Sequence, residues 1–594
     1  MTAKSSSAEN SPRVNSIELD PSITSDTNDN YDSTKTNYYK EENHLKSVTT
    51  NNSSTNPISL KNFSIEIDPQ ITASINGDIE AQQTPTSKPE SDADKIIYFI
   101  NRRNKKLFFC LIIAATVVAN INQTLVNSSY SAIGNYFKAL QYTSWLSLGY
   151  VIISCSSQPF FSPIISIVGY NAFFAYCWIF LSIATILSVI GSSMLMVIIG
   201  YSFSALGGIG MSIFINLLIL HSFPLKQRSF YYGFSSFSHN VGNIFGPLFA
   251  PLLLTKYNFR SLFIALIIFI AIGMIICLFS MYKSNDSLVK VNKWKNFNFL
   301  SSFLLIASII SLACCLNGAS GSSIFNLTTT IVLGCVFLVC LPLFFFTQSK
   351  STKNKIIPIQ IFTRRNEVIV YLSLVFIGSR YVSSSFFIPF YGSVILNLTK
   401  LKLGLISSFF YLGSSVSGLV FPLIYKRTKP LYAFVFYYLL IIGPSIAEVF
   451  FNQNTGFYLV SICEFIIGWG IVGVTLCAVM FFVSQPPNNL KPLYIGLFSF
   501  IITLGSMISS SILISVYSKL LTKKIAAVAS SHPQYSSLIL NSSSDSSIIF
   551  SGSYPDFVRD DVLKAFISAI NIPLIITASS VSISCLIILF VKIK

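Results

Sequence analysis

Residues 107–126 read LFFCLIIAATVVANINQTLV, an apolar run of 20 residues without a charge. A helix of that length rises about 30 Å, which is the thickness of the hydrocarbon core of a bilayer. Runs of similar length and composition recur from about residue 106 to the C-terminus. Inside lipid a helix satisfies all of its own backbone polar groups, so the bilayer favours helices for such runs. We therefore predict an all-α polytopic membrane protein.

The composition excludes a soluble enzyme. Hydrophobic residues make up 52% of the chain and only 11% is charged, against about 25% in soluble domains. The sequence has no His or carboxylate cluster typical of a membrane-embedded active site, and no glycine-rich phosphate loop. We expect no enzyme activity, no cofactor and no metal. The eleven Cys lie almost entirely in apolar runs and are interpreted as small hydrophobic residues.

Charge divides the chain into an acidic tail and a basic membrane part. Residues 1–94 hold 15 Asp or Glu against 7 Lys or Arg, whereas residues 95–594 hold 33 Lys or Arg against 8 Asp or Glu. The basic residues of the second part lie at the ends of apolar runs, where anionic lipid headgroups attract them. This pattern predicts a lipid-bilayer environment and no binding to nucleic acid.

The apolar runs number fourteen. Their approximate limits are 106–127, 143–166, 171–190, 194–221, 229–255, 259–282, 296–317, 325–348, 366–396, 402–425, 430–450, 456–484, 491–518 and 565–591. An even number of spans places both termini on one side of the membrane. The connections on that side are rich in Lys and Arg, and the short opposite connections have few. Because basic residues favour cytosolic loops, both termini are predicted to be cytosolic.

The N-terminal tail has a different character. Residues 1–94 are rich in Ser, Thr, Asn and Asp and lack apolar periodicity, so we predict a disordered cytosolic tail without a signal peptide. One motif occurs twice in the tail, as SIELDPSIT at Ser16–Thr24 and as SIEIDPQIT at Ser64–Thr72. The repeat is either a local duplication that has drifted or a linear motif that docks a cytosolic partner.

A glycine pattern distinguishes the fifth span. Gly233 is followed by Gly242 and by the pair Gly246-Pro247. Small residues at such spacing let helix backbones touch, and a proline kinks a membrane helix. The pattern resembles the antiporter signature of the major facilitator superfamily. Further landmarks resemble its fourteen-span drug:proton antiporter family, and within it the fungal vacuolar basic amino acid transporters: Ser144-Trp145, Gln158-Pro159, Gly207–Gly210, Arg228 and Ile388–Tyr391.

The resemblance covers the chain beyond the tail and implies a domain plan. We expect the major facilitator fold with an N-terminal six-helix half at 95–282, two inserted helices at 283–365 and a C-terminal six-helix half at 366–594. The last half would include a long luminal or external loop at 519–563, in which Asn541 heads an Asn-Ser-Ser glycosylation sequence.

The chain departs from this family at positions that are usually ionisable. The Asp of span one is replaced by Asn122, which Gln123 follows, and an amide does not exchange protons in the physiological range. The Arg expected in span four is Ser204, and the loop between spans two and three lacks the usual charged residues. We therefore expect altered proton coupling or a different substrate.

Two charges remain well inside the spans, where charge is costly and therefore informative. Arg380 lies about 21 Å into span nine from the cytosolic side, and Glu464 about 12 Å into span twelve from the other side, so the two can pair. The pair either handles substrate or protons or is a structural ion pair; alternatively Arg380 extends outward to the interface. His239 in span five is either a proton carrier or a hydrogen-bonded interior residue.

Three functions stay open at this point. We predict a secondary transporter of small solutes that works by alternating access, most specifically of basic amino acids at the vacuolar membrane and, by resemblance, coupled to protons. A plasma-membrane exporter of drugs is the second hypothesis, because 52 Phe permit an apolar cavity. A non-transporting sensor or scaffold is the third. The candidate site residues are Asn122, Gln123, Ser204, His239, Arg380, Tyr391 and Glu464.

Overall fold

The computed structural model describes residues 105–139, 142–281, 297–319, 326–350, 356–357, 363–485, 490–542, 549–550 and 555–591. Within these ranges all regular secondary structure is helical, and fourteen helices are long enough to number α1 to α14. They are α1 Lys105–Asn127, α2 Ser144–Val168, α3 Tyr170–Ile190, α4 Met194–Ser222, α5 Leu225–Lys256, α6 Arg260–Met281, α7 Phe299–Ala319, α8 Leu327–Lys350, α9 Arg365–Val394, α10 Lys400–Arg427, α11 Pro430–Val449, α12 Phe457–Ser484, α13 Lys491–Ser531 and α14 Asp556–Ile588.

The predicted all-α membrane architecture is confirmed. Each predicted span corresponds to one of these helices, and thirteen of the described helices are long and apolar enough to cross a membrane. The predicted tail, including Ser16–Thr24 and Ser64–Thr72, lies outside the described residues. This is therefore an integral, multi-pass membrane protein.

Helix α5 is the exception to the apolar rule. At 32 residues it is long enough to span a bilayer, but it contains many Ser, Asn and Tyr side chains. It packs along α1 on one side and α10 on the other. Because protein covers two of its faces, less of its surface meets lipid, and polar residues are tolerated there.

The first six and the last six helices repeat one packing pattern. In the N-terminal half, α1 packs on α5 and α6, and α4 packs on α2 and α3. In the C-terminal half, the corresponding helix α9 packs on α13 and α14, and α12 packs on α10 and α11. The two halves meet where α5 lies along α10 and where α2 lies along α13. Two halves built alike and facing each other are the architecture that alternating access requires.

The glycines of α5 lie at these helix contacts. A side chain at Gly233 would overlap the backbone of Gly418 in α10, and one at Gly246 would overlap the backbone of Thr124 in α1. The carbonyl of Pro247 lies where a side chain at Gly404 of α10 would be. The small residues therefore allow α5 to touch a helix of each half at backbone distance.

Helices α7 and α8 belong to neither of the two six-helix halves. They pack on each other, and α7 also contacts α2 and α13. Protein buries only 11% of the most apolar window of α8, against 83% for α12. The pair is thus attached to the bundle through α7, and α8 is exposed almost all round to lipid.

Helix α9 is interrupted at its centre. Its α-helical part Arg365–Val382 is followed by a π-helical turn at Ser383–Phe387 and a second α-helical part at Ile388–Val394. A π-helical turn inserts an extra residue, weakens the regular backbone hydrogen-bond ladder and is frequent at functional sites.

The predicted loop 519–563 differs from the structure. Helix α13 continues to Ser531, short helices follow at Pro533–Tyr535 and Ser536–Ser542, and α14 already begins at Asp556. The extension buries its own apolar residues at helical spacing: Leu521, Ile525, Ala529, Ile539, Val558 and Val562. We call this folded region the cap. The apolar face that stabilises the cap was not recognised in the sequence, because the surrounding residues are rich in Ser.

Candidate coupling site in the C-terminal half

Three charged side chains from three helices meet inside the C-terminal half. Arg380 of α9 donates from Nη2 to Glu448 Oε1 of α11 at 2.8 Å and to Glu464 Oε1 of α12 at 3.0 Å. Arg380 Nη1 lies 2.7 Å from Glu448 Oε2. The three residues are at most 1% exposed. We refer to Arg380, Glu448 and Glu464 as the ion cluster.

The π-helical turn supplies two hydroxyl groups to the ion cluster. Ser383 Oγ accepts a hydrogen bond from Arg380 Nη1 at 2.9 Å, and Ser384 Oγ donates to Glu464 Oε1 at 3.2 Å. Both serines are buried. The interruption of α9 thus lies directly beside the charges, and its side chains orient two of the three.

The ion cluster contains one more carboxyl group than it has guanidinium groups. With both glutamates ionised it would hold an uncompensated negative charge in a site shielded from water, which is energetically unfavourable. Glu464 Oε2 is buried and accepts no hydrogen bond from any described residue. One bound proton, shared by two coupled carboxyl groups, would neutralise the cluster. This arrangement can therefore take up and release a proton.

The N-terminal half has a neutral counterpart. Asn122 Nδ2 of α1 donates to Ser204 Oγ of α4 at 2.8 Å, and Ser204 Oγ donates to the Tyr201 carbonyl at 2.6 Å. Both Asn122 and Ser204 are buried. The two positions that depart from the family therefore touch each other. Gln123 takes part only through its backbone carbonyl, which accepts from the Tyr201 hydroxyl at 3.2 Å.

The other candidate residues lie elsewhere. His239 is half-buried on α5 and makes no hydrogen bond or ion pair with the described residues, although the neighbouring Asn240 bonds back to the Ser236 carbonyl at 2.8 Å. Tyr391 belongs to the C-terminal part of α9, where its hydroxyl donates to the Asn452 carbonyl at 2.6 Å. The structure therefore brings Arg380 together with Glu464 and Asn122 together with Ser204, whereas His239 and Tyr391 contact neither pair.

The comparison with known families decides the superfamily. The model of the Major Facilitator Superfamily matches residues 112–510, about two thirds of the chain. The chain belongs to the major facilitator superfamily. The matched family is one of membrane transporters and not of enzymes, in agreement with the expectation from the sequence.

The curated relatives are fungal transporters at low identity. The chain is 22% identical to the MFS-type efflux transporter pyiT of Pyricularia grisea, over 68% of this chain and 68% of that protein. It is 21% identical to the vacuolar membrane amino acid uptake transporter fnx2 of Schizosaccharomyces pombe, over 52% of this chain and 54% of that protein. The matched region spans between about half and two thirds of the length of the curated relatives.

A solved transporter shares the fold. The crystal structure of the peptide transporter POT in complex with sulfate aligns with a TM-score of 0.52 and 12% identity, over 84% of this chain and 99% of that chain. At that identity the likeness extends to the fold alone. The major facilitator fold predicted from span five is confirmed.

Glu448 is the member of the ion cluster that the sequence analysis missed. It is the last residue but one of α11, and the predicted span 430–450 placed it at the membrane edge, where a charge needs no partner. In the structure Glu448 is completely buried instead. The one signal in the sequence was a charged residue still inside the limits of an apolar run, which does not by itself indicate burial.

Proposed function

We propose that the protein is a secondary transporter of small cationic solutes, specifically basic amino acids, coupled to protons at the ion cluster. One observation carries the proposal: two buried carboxyl groups, Glu448 and Glu464, share one buried guanidinium, Arg380. A buried cluster with an excess carboxyl group needs a proton or a cation to become neutral. Its charge state is therefore linked to the proton concentration, which is the basis of gradient-driven transport.

The choice of substrate rests on charge and on the relatives. When no proton is bound, the excess carboxyl group gives the ion cluster a negative charge, which favours a cationic solute over an anionic one. One fungal relative is named as a vacuolar membrane amino acid uptake transporter. Uptake of arginine, lysine or histidine into the acidic vacuole in exchange for protons combines these two observations.

The test uses purified full-length protein in lipid vesicles. Uptake of labelled arginine, lysine and histidine is measured with an imposed pH gradient and with the gradient collapsed. We expect gradient-dependent uptake in the native protein and loss of gradient dependence in Glu464→Gln and Glu448→Gln. Glu367→Gln is the matched control, because Glu367 is also a buried carboxylate, but it lies in the first turn of α9 and pairs with Arg364 at 3.2 Å, away from the ion cluster.

The outcomes separate the parts of the proposal. Gradient-dependent uptake that survives both cluster variants would remove the ion cluster from the coupling mechanism. Uptake that ignores the gradient in the native protein would indicate a facilitator. No uptake of any of the three amino acids would contradict the proposed substrate class and would favour other solutes.

Efflux of apolar compounds is the second candidate. It is favoured by the relative named as an efflux transporter and by aromatic contacts such as Tyr150–Tyr201, with ring centroids 5.1 Å apart, and Phe410–Tyr411, at 5.2 Å. Such rings stack on flat apolar compounds and attract organic cations. Export of a fluorescent organic cation that arginine does not inhibit would favour this function over the first.

We also propose that both termini face the cytosol and that the protein resides in the vacuolar membrane. The sequon at Asn541 offers a direct test, because its side chain is exposed in the cap and would face the lumen of the secretory pathway. We expect an endoglycosidase-sensitive mass that Asn541→Gln removes. The sequon Asn285-Asp-Ser, in the α6–α7 connection, is the control for the opposite orientation. Loss of the glycan in Asn285→Gln instead would reverse the topology.

A further inference from the structure

The C-terminal end of α9 contacts the turn that follows Glu448 of the ion cluster. Glu448 is the last residue but one of α11, so the α11–α12 turn begins directly beside it. The backbone N–H of Phe451, in that turn, donates to the Glu448 carbonyl at 3.2 Å. The next residue, Asn452, is exposed at the surface, whereas Phe451 is buried. Only a few residues of the chain therefore separate the exposed Asn452 from the buried Glu448 of the ion cluster.

One side chain holds this turn in place from α9. The Tyr391 hydroxyl donates to the Asn452 carbonyl at 2.6 Å, and the Tyr391 ring packs on Phe451 with centroids 5.7 Å apart. Tyr391 is buried together with Phe387 of the π-helical turn. The hydrogen bond to Asn452 and the ring contact with Phe451 therefore join the C-terminal part of α9 to the turn that follows Glu448.

We propose that Tyr391 closes an outer entry path for protons and water to the ion cluster, and that α9 opens it by bending at the π-helical turn. This inference rests on the proposed coupling role of the cluster, which is sealed from water as it stands. A proton site must exchange with at least one side of the membrane during each cycle. The turn at Ser383–Phe387 supplies the weak point of α9, and the Tyr391 hydrogen bond supplies a contact that can be broken locally.

A native thiol reports on this path. Cys463 precedes Glu464 on α12, is 5% exposed and packs in the same buried cluster as Tyr391, Phe387 and Phe451. Its reaction with a thiol reagent requires the path to open. Cys477, on the same helix but about 21 Å nearer the opposite end, is buried as well and serves as the internal reference.

The experiment measures the reaction rate of each thiol in the full-length protein in lipid nanodiscs. A small charged maleimide is added, and peptide mass spectrometry follows Cys463 and Cys477 separately. We expect Tyr391→Phe to speed the reaction of Cys463 about fivefold, the change in an opening equilibrium that follows from the loss of one hydrogen bond, with no change at Cys477. Phe451→Leu, which loses the ring contact but keeps an apolar side chain, should give a smaller increase.

The matched control lies in the same apolar cluster. Tyr517 packs against Phe387 and Phe390, at 5.9 and 5.5 Å, and its buried hydroxyl makes no hydrogen bond with the described residues. Tyr517→Phe should therefore react like the native protein. An unchanged Cys463 rate in Tyr391→Phe, or an equal increase in Tyr517→Phe, would overturn the entry path.

The thiol reaction does not depend on transport. If Glu464→Gln leaves gradient dependence intact while Tyr391→Phe opens the path, the coupling role of the cluster fails and the path remains. If the cluster variants abolish coupling but the Cys463 rate never changes, the path fails and the proposed function stands.

Discussion

The two halves of this protein share a packing pattern and differ in the polar groups that they bury at corresponding depth. The C-terminal half holds three charges, Arg380, Glu448 and Glu464, at one place. The N-terminal half holds the neutral hydrogen bond between Asn122 and Ser204. Burying charge is far costlier than burying an amide and a hydroxyl that satisfy each other. Under the proposed coupling mechanism, the N-terminal half stays neutral at this depth and the C-terminal half changes its charge.

The largest effect is expected from removing the only cation of the ion cluster. Arg380→Ala leaves two carboxyl groups buried without a counter-charge, and breaking a buried pair in this way costs about 3–5 kcal/mol of unfolding free energy. Thermal unfolding of the solubilised protein should show a large loss of stability. Adding Glu448→Gln and Glu464→Gln should restore most of it. Native stability in Arg380→Ala would mean that the glutamates are neutral without Arg380.

The second effect tests the neutral half by giving it a charge. Asn122→Asp places a carboxyl group beside a single hydroxyl, and an unsatisfied buried group costs about 1–3 kcal/mol. We expect lower thermal stability, and a double-mutant cycle with Ser204→Arg should show a favourable coupling of about 0.5–3 kcal/mol. Independent, additive effects would show that the two positions do not form one interaction.

A smaller effect compares the same substitution in the two halves. Ser204→Ala and Ser384→Ala each remove one buried hydrogen bond between two helices, worth about 1 kcal/mol. We expect similar losses of stability but a changed pH profile of uptake only in Ser384→Ala, which no longer donates to Glu464. Ser384→Thr retains a donor and should restore the native profile. A shifted profile in Ser204→Ala would place coupling in both halves.

The smallest effect is expected at His239. Because His239 has no hydrogen-bond or ion-pair partner in the described part of the chain and lies in the other half from the ion cluster, His239→Gln should change the rate and the gradient dependence of uptake by less than about twofold. Labelled-arginine uptake at several pH values measures this. Loss of gradient dependence would make His239 the proton carrier.

Much of the fold was predictable from apolar run length alone. The bilayer leaves few alternatives to a helix of about 20 residues, so all predicted spans correspond to helices. The extension of α13 to Ser531 was not predictable in the same way. It lies outside the apolar runs, and only the pairing of Leu521 and Ile525 with residues far along the chain, such as Val558, gives it a core.

The candidate site was only partly predictable. Depth along separate helices made a contact between Arg380 and Glu464 feasible, and the two lie 3.0 Å apart. The sequence could not add Glu448, because burial at the end of α11 depends on how α9 and α12 pack around it. Similarly, Asn122 and Ser204 were each noted because they replace an ionisable residue of the family. Their hydrogen bond could not be predicted, because it depends on how α1 packs against α4.

The length of α13 has a practical consequence. Its 41 residues form a continuous rod of about 60 Å, twice the thickness of the hydrocarbon core, which begins beside α2 and ends in the cap. A tilt of about ten degrees around the Lys491 end of α13 would displace its Ser531 end by about 10 Å. The cap therefore moves much farther than the membrane-spanning part of α13 when the helix tilts. A spectroscopic label or an antibody fragment attached there would convert small rotations inside the bilayer into distances that are readily measured outside it.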